Sequence, residues 1–321
     1  MLDIETSGGV RLTVATGLDE VFDSGYEMDK QPGEVRADDA LFFRQKETEL
    51  LWVQYAQSMG PGDFTITEED ESVEEATVGV RNKTQAEVFE FDKDIPIPQR
   101  YQEASSYWGT VDSWVEQLGV RGRTSRDKFA FKYTYGDPTN ASGNVTTPDG
   151  SALGANAHTA LSGDTIDNLS TGAASADNVA TDIKTLRLMK AQDGDLASYH
   201  ADGILASANL HPTLTVIVGS ELKPGINDND INYISRIYPG LVVGASEYMD
   251  STYNTVNTNA NTTFITVSRM HKICRYVRVA MGKEYVDPMY DRKRRAFYRA
   301  RFSERSFCGD WGGVQVNNGS A

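Results

Sequence analysis

Between Glu68 and Asp94 the chain reads EEDESVEEATVGVRNKTQAEVFEFDKD, and few folds can absorb such a segment in their interior. Val78 and Val80 alternate with polar neighbours, Asn82-Lys83 supplies turn chemistry, and Val88, Phe89 and Phe91 bring apolar side chains back. That pattern predicts a β-hairpin with too few apolar residues to bury both faces. A two-stranded ribbon of this kind is barely stable alone and needs a partner surface. Ile95-Pro96-Ile97-Pro98 follows and forces an extended path, because each proline also restricts the residue before it.

Charge is distributed unevenly around this segment. Residues 1–75 hold 19 acids against 5 Lys or Arg, whereas residues 269–305 hold 12 Lys or Arg against 4 acids. Opposed blocks in one chain suggest complementarity, within the fold or between copies. The net charge of −15 argues against general affinity for nucleic acid or anionic membranes. Asp (27) exceeds Glu (19) and Lys (12) trails Arg (19). Such a surface stays soluble when salt screens charge repulsion, which fits a halophilic host and fits an ordinary acidic protein equally.

Along the chain, the first 37 residues keep no helical period for long and are expected to form an extended arm. Asp38 to Ser58 favours a helix, with Asp38 or Asp39 as N-cap and Gly60-Pro61 as the stop. Val111, Trp114, Val115, Leu118, Gly122, Arg126, Phe129 and Tyr133 fall at helical spacings and predict a long amphipathic helix over 101–132. Gly119 and Gly122 inside it each cost about 1 kcal/mol relative to alanine. Residues 137–177, rich in Gly, Ser, Thr, Asn and Ala, read as a long surface loop. Val179, Ile183, Leu186 and Met189 line a second helix that Gly194 closes. Strands are expected at Leu214–Val218, Gly240–Gly244, Thr262–Val267, Lys272–Ala280 and Arg295–Phe307. The class is α+β, with protrusions and no internal repeat.

Motifs for chemistry are sparse. His158, His200, His211 and His271 are scattered, and no HExxH, Walker A, GxSxG or GxGxxG pattern occurs. No catalytic, cofactor or metal site is assigned. Cys274 and Cys308 lack a CxxC and read as two buried thiols. Glu68-Glu69 and Glu74-Glu75 could be drawn as acid–base pairs, but a run this dense reads as a solvated or partner-docking face. The start, MLDIETSGGV, has no signal-peptide pattern, and no apolar run approaches the roughly 18–20 residues that span a bilayer. One patch could meet phosphate: the basic strand of Arg292, Lys293, Arg294, Arg295, Arg299, Arg301 and Arg305. Its interleaved Phe297, Tyr298, Ala300 and Phe302 make docking against acidic protein at least an equal reading.

The succession of arm, acidic hairpin, IPIPQRY (Ile95–Tyr101), long helix with LGVRGRTSRDKFAF (Leu118–Phe131), DGSALGANAHT (Asp149–Thr159), DNLSTGAASADN (Asp167–Asn178) and LTVIVGSEL (Leu214–Leu222) resembles tailed-phage major capsid proteins. More narrowly it is similar to the Mu-like head proteins within the Hong Kong-97 capsid fold. The resemblance covers residue 40 to the end of the sequence. It implies an N-terminal arm and helix (1–61), an extended hairpin loop reaching a neighbouring subunit (62–94) and a peripheral domain with a spine helix (95–202). An axial domain (203–262) and a C-terminal return to the peripheral domain (263–321) complete the division. Pentamers and hexamers of the chain would enclose double-stranded DNA, bound without sequence specificity, in an icosahedral shell assembled in the host cytoplasm. Portal, scaffold and decoration proteins would be its partners, with no membrane and no cofactor. With no room for a long N-terminal scaffolding region, scaffold is expected as a separate protein or this chain as a processed one. Contact between copies would pair Glu68, Glu69, Asp70, Glu71, Glu74 and Glu75 with Arg292, Arg295, Arg299, Arg301 and Arg305, with Lys83 at the hairpin turn. The alternatives are another virion component, such as a tail or decoration protein, or an acid-adapted enzyme.

Overall fold

The computed structural model describes residues 9–58, 80–98, 101, 108–140, 146–224, 230–253, 259–286 and 295–319. The first element is a helix, α1 (Gly9–Tyr26), where the sequence predicts an extended arm. Leu18 and Phe22, one turn apart, are both buried, so a helical stripe exists. Gly17 and Gly25 interrupt its pattern and hide it from a periodicity argument. Gly25 is required by contact: a Cβ there would lie 2.2 Å from the Glu116 carbonyl oxygen.

The helix expected from Asp38 is also replaced. Leu41 N donates to Asp39 Oδ1 in a tight turn, Phe42 and Phe43 both enter the core, and two strands follow, β1 (Arg44–Glu47) and β2 (Trp52–Ser58). Helix-compatible composition yields here to strand pairing, since propensity is a weak prior against tertiary contacts. β3 (Val80–Glu87) pairs antiparallel with β2 as a two-stranded ribbon. The predicted pairing of Val80 and its strand with Val88, Phe89 and Phe91 therefore does not form: β3 takes β2 as its partner instead. Asn82 and Lys83 lie within β3 and make no turn, and β4 (Phe89–Ile97) leaves the ribbon for another sheet.

The long helix, α2 (Trp108–Lys132), follows the predicted face, with Val111, Val115 and Leu118 buried. Its Gly119 touches α1: a Cβ would sit 2.2 Å from the Phe22 carbonyl oxygen. Short strands β5 (His158–Thr159), β6 (Thr165–Ile166) and β7 (Leu169–Ser170) come next. They lie in the segment predicted as a surface loop, which is instead partly core. Leu153 is fully buried, and the buried Asn168 amide donates to the carbonyls of Leu153 (2.8 Å) and Val314 (3.1 Å), satisfying backbone that small residues leave open.

α3 (Ala176–Arg187) is the predicted second helix, capped by Ser175, but it ends at Arg187, so Met189 lies beyond it and Gly194 serves a later left-handed turn and does not close it. It precedes β8 (Gly203–Ser207), α4 (His211–Gly219), α5 (Tyr233–Ile237) and β9 (Val242–Ser246). α4 overturns the strand expected at Leu214–Val218. Pro212 sits in its first turn, and Leu214, Ile217 and Val218 are buried at i, i+3, i+4 spacing. β10 (Phe264–Val267), β11 (Ile273–Val286), β12 (Ala296–Cys308) and β13 (Val314–Asn317) complete the order.

Two larger sheets result, one in the order β1-β11-β12-β4 and one in the order β7-β13-β10-β8-β9. α1 and α2 cover the first sheet through Leu18, Phe22, Val115, Ile97 and Tyr298. α3, α4 and α5 pack against the second through Val179, Ile183, Leu214, Ile234 and Phe264. A third cluster, including Phe42, Phe131, Leu205, Ile273 and Val316, joins them. Both cysteines are buried free thiols.

Candidate functional site

The basic strand becomes β12, between β11 and β4. Its side chains alternate across the sheet, as the pleat requires. Ala296, Tyr298 and Ala300 face the α1–α2 side, while Arg299 and Arg301 face away from it. Arg299 meets a carboxylate of its own chain: its Nε lies 2.7 Å from Asp94 Oδ1 and its Nη2 2.9 Å from Asp94 Oδ2. This forked pair holds the Asp94 carboxyl below its usual range and raises the guanidinium's pKa. Arg301 is exposed, in register with Asp92 on one side and Gly282 on the other. Arg278 of β11 pairs with Glu90 of β4. The outer face of this sheet is thus a mosaic of opposite charges.

Arg295 and Arg305 have different surroundings. The Arg295 guanidinium lies 5.4 Å from the Phe297 ring centroid. Arg305 is buried, 4.1 Å from the Tyr133 ring and 4.8 Å from the Phe89 ring, and burial lowers its pKa. Its Nε and Nη1 have no hydrogen-bond acceptor. Stacking on aromatic faces therefore carries this cation. Lys83 is exposed and in register with Ala56. Glu68, Glu69, Asp70, Glu71, Glu74, Glu75 and Arg292 lie outside the described residues.

Two polar assemblies have no counterpart in the sequence reading. In the first, fully buried Arg275 places Nε 2.9 Å from Glu304 Oε2 and donates from Nη1 to the Ala37 carbonyl at 3.1 Å. Arg126 of α2 stands 3.3 Å from the same Glu304 oxygen and also contacts the Tyr26 hydroxyl. Burial works against the Arg126 charge, but Glu304 and Tyr26 outweigh it and raise its pKa. Neighbouring Asp127 accepts from Ala37 N at 2.8 Å, and burial pushes its carboxyl up to about 6. This network ties α1, α2 and the four-stranded sheet to the turn at Ala37.

The second assembly centres on Asp310, which is 1% exposed. Its Oδ1 accepts from Gln57 Nε2, Gln192 Nε2 and the Trp311 backbone N–H, with Lys272 Nζ 3.4 Å from Oδ2. Asp310, Gln192, Lys272 and Trp311 line a cleft of about 200 Å³ beside the end of β2, with Ser58 and Tyr199. Burial, with help from Asp310, pushes the Tyr199 hydroxyl up to about 12. Neither assembly leaves a motif, because its members come from helix, strand and loop segments separated by long stretches of sequence. Among the described residues no His, Cys, Asp or Glu group has a metal-holding arrangement, and no helix is long and apolar enough to cross a membrane.

No protein-family model and no curated protein sequence matches the chain. Solved structures do match, over nearly its whole length. The capsid of an empty GTA particle, computed with C5 symmetry, superposes with a TM-score of 0.54 at 14% identity, covering 93% of this chain and 97% of that one. The capsid of Myoviridae Phage XM1 gives 0.52 at 10% identity, covering 92% and 97%. The virus-like particle from Pyrococcus furiosus gives 0.50 at 10% identity, covering 94% and 98%. The chain therefore has a Hong Kong-97-type capsid fold, a mixed helix-and-sheet architecture shared with tailed-phage capsids.

Proposed function

We propose that this chain is the major capsid protein of a tailed virus, its copies forming pentamers and hexamers of an icosahedral shell around double-stranded DNA. The observation that carries the reading is the end-to-end likeness to capsid structures, which leaves neither chain with a large unmatched portion. A two-stranded ribbon outside the two larger sheets supports it, because its exposed side, with Trp52 and Val80, needs a surface that another copy supplies. On this reading the β2–β3 ribbon, with the segment that joins its strands, extends toward the neighbour rather than the whole of 62–94, since β4 stays in the body's sheet, and α2 is the spine of the peripheral domain (95–202). Residues 203–262 form the axial domain, and residues 263–321 return to the periphery. Portal, scaffold and decoration proteins are its partners in the virion, and assembly takes place in the host cytoplasm.

The outer face of β4–β12–β11 carries Arg299 and Arg278, each paired with a carboxylate of the same chain. Paired arginines favour protein contact over a surface dedicated to phosphate. Negative-stain microscopy of the expressed chain tests the proposal, with closed shells or tubes as the expected result. A dispersed monomer at every concentration and ionic strength, with or without scaffold, would overturn it. If the acid surplus is an adaptation to a saline host, the particles lose integrity when salt falls from molar levels to about 0.1 M.

A further inference from the structure

The ribbon of β2 and β3 meets the body of the subunit where three features coincide. The first is a bend. Ala56 faces Lys83 and Gln57 faces Arg81, so Asn82 is an extra residue on β3, and its φ of 46° is left-handed. An extra residue in this conformation forms a bulge that turns a ribbon and tightens its twist, and asparagine tolerates it better than most residues with a side chain. The second is a buried acceptor, the Asp310 carboxylate, anchored in the body by Gln192 at 2.9 Å and by the Trp311 backbone N–H at 2.9 Å. The third is a relay joining them. Asn82 Nδ2 donates to Gln57 Oε1 at 3.0 Å, and Gln57 Nε2 donates to Asp310 Oδ1 at 3.2 Å.

Asp310 is buried in the body, so swinging the ribbon away would remove the Gln57 donor from its Oδ1. The ribbon's other contacts with the body lie toward the opposite end of its ladder and are apolar, from Val53, Ala86 and Val88 against Phe307. Apolar contact is non-directional and tolerates rocking, whereas hydrogen bonds weaken steeply with angle. We infer that Asp310 and Gln57 are positioning residues: with the Asn82 bulge they fix the angle at which the ribbon leaves the body. On the shell reading above, that angle decides which surface of a neighbouring copy the ribbon reaches.

The test uses dispersed full-length subunits carrying spin labels at Val80 on the ribbon and Lys184 on α3, both exposed. The native thiols are buried and do not compete for label. Pulsed dipolar spectroscopy should give one narrow distance distribution in the parent. Gln57→Ala and Asp310→Ala should broaden it about twofold, reporting motion that the anchor suppresses. Asp310→Asn retains the Oδ1 acceptor and should stay narrow. Asn82→Gly keeps the left-handed backbone, lacks only the amide of an exposed side chain, and should broaden it less. Distributions as narrow as the parent's in both Gln57→Ala and Asn82→Gly would overturn the inference. Failure of the unaltered chain to form shells would sink the shell reading and leave this comparison intact.

Discussion

Replacing Asp127 with asparagine should stabilise the isolated subunit at neutral pH and leave it almost unchanged in acid. Asp127 sits on α2, 6% exposed, with its Oδ1 2.8 Å from the Ala37 amide nitrogen. Burial pushes the carboxyl from an ordinary 3.8 to about 6, against the opposing effects of that hydrogen bond and of Arg126. At about 1.4 kcal/mol per pKa unit, the rise corresponds to roughly 3 kcal/mol between the two protonation states. The folded chain binds this proton more tightly than the unfolded chain. The resulting stability is fully present below pH 3.8 and lost as pH rises through about 6. At pH 7.5 the parent therefore carries a buried charge that asparagine lacks, while the amide oxygen still accepts from Ala37. Seating an NH₂ group in place of the second oxygen costs about 1 kcal/mol, so the net gain expected is about 1–2 kcal/mol. Urea unfolding followed by circular dichroism at pH 7.5 and pH 4 measures both values. A variant less stable than the parent at pH 7.5, or a difference of the same size at both pH values, would refute the reasoning.

His271 titrates in the opposite sense. Burial pulls it down to about 4, and its geometry suits a neutral ring, with Nε2 2.9 Å from the Leu41 carbonyl and Nδ1 accepting from Ile273 N. Its contribution is present above pH 6.5 and lost as pH falls toward 4, so His271→Gln should lower stability at pH 7 and flatten the acid limb of the urea midpoint against pH. Arg299→Glu should reduce shell closure by placing like charges beside Asp94, and Asp94→Arg in the same chain should restore it in electron micrographs. Rescue by reversal at Glu74 and Glu75 instead would assign the arginine to the neighbouring copy. Gly119→Ala should cost about 2 kcal/mol in urea unfolding, because its Cβ meets the Phe22 carbonyl of α1 and one helix must shift.

Much of the architecture is legible in the residues, and the failures share causes. α2 and α3 follow from period alone, since each has one apolar stripe facing one sheet. Asn82 carries a real signal for left-handed backbone, but a turn and a bulge demand the same φ, so the expected hairpin turn is a bulge inside β3, whose partner is β2. Phe89 and Phe91 look like the second strand of that hairpin. They belong to β4 because Phe91 stacks on Phe302 and packs at a tilt against Phe129, partners that lie far along the sequence. The β-branched run of α4 imitates a strand, and Gly17 and Gly25 conceal α1, although Gly25 is there for close contact with α2. For the site, the arginines of β12 are visible in the sequence while their countercharges are not. The acidic run near Glu74 is denser than the Asp92-Asp94 pair, yet strand register brings Asp94 to Arg299. Asp310 and Arg275 give no sequence signal, because their partners come from other strands and loops.

The threading of the two sheets also sets an order of events during synthesis. β13 lies between β7 and β10, and β1 pairs parallel with β11, across more than half of the chain. Neither sheet can close until its late strand has cleared the ribosome, and pairing of such distant segments is slow because loop closure precedes any gain from contact. Until then Val316, Val314 and Ile265, all buried in the finished core, have no interior to occupy. A nascent chain would thus have its ribbon residues well before it has a body to aim them. An unfinished chain is exposed to chaperones in that interval, and its core closes only once the late strands are available.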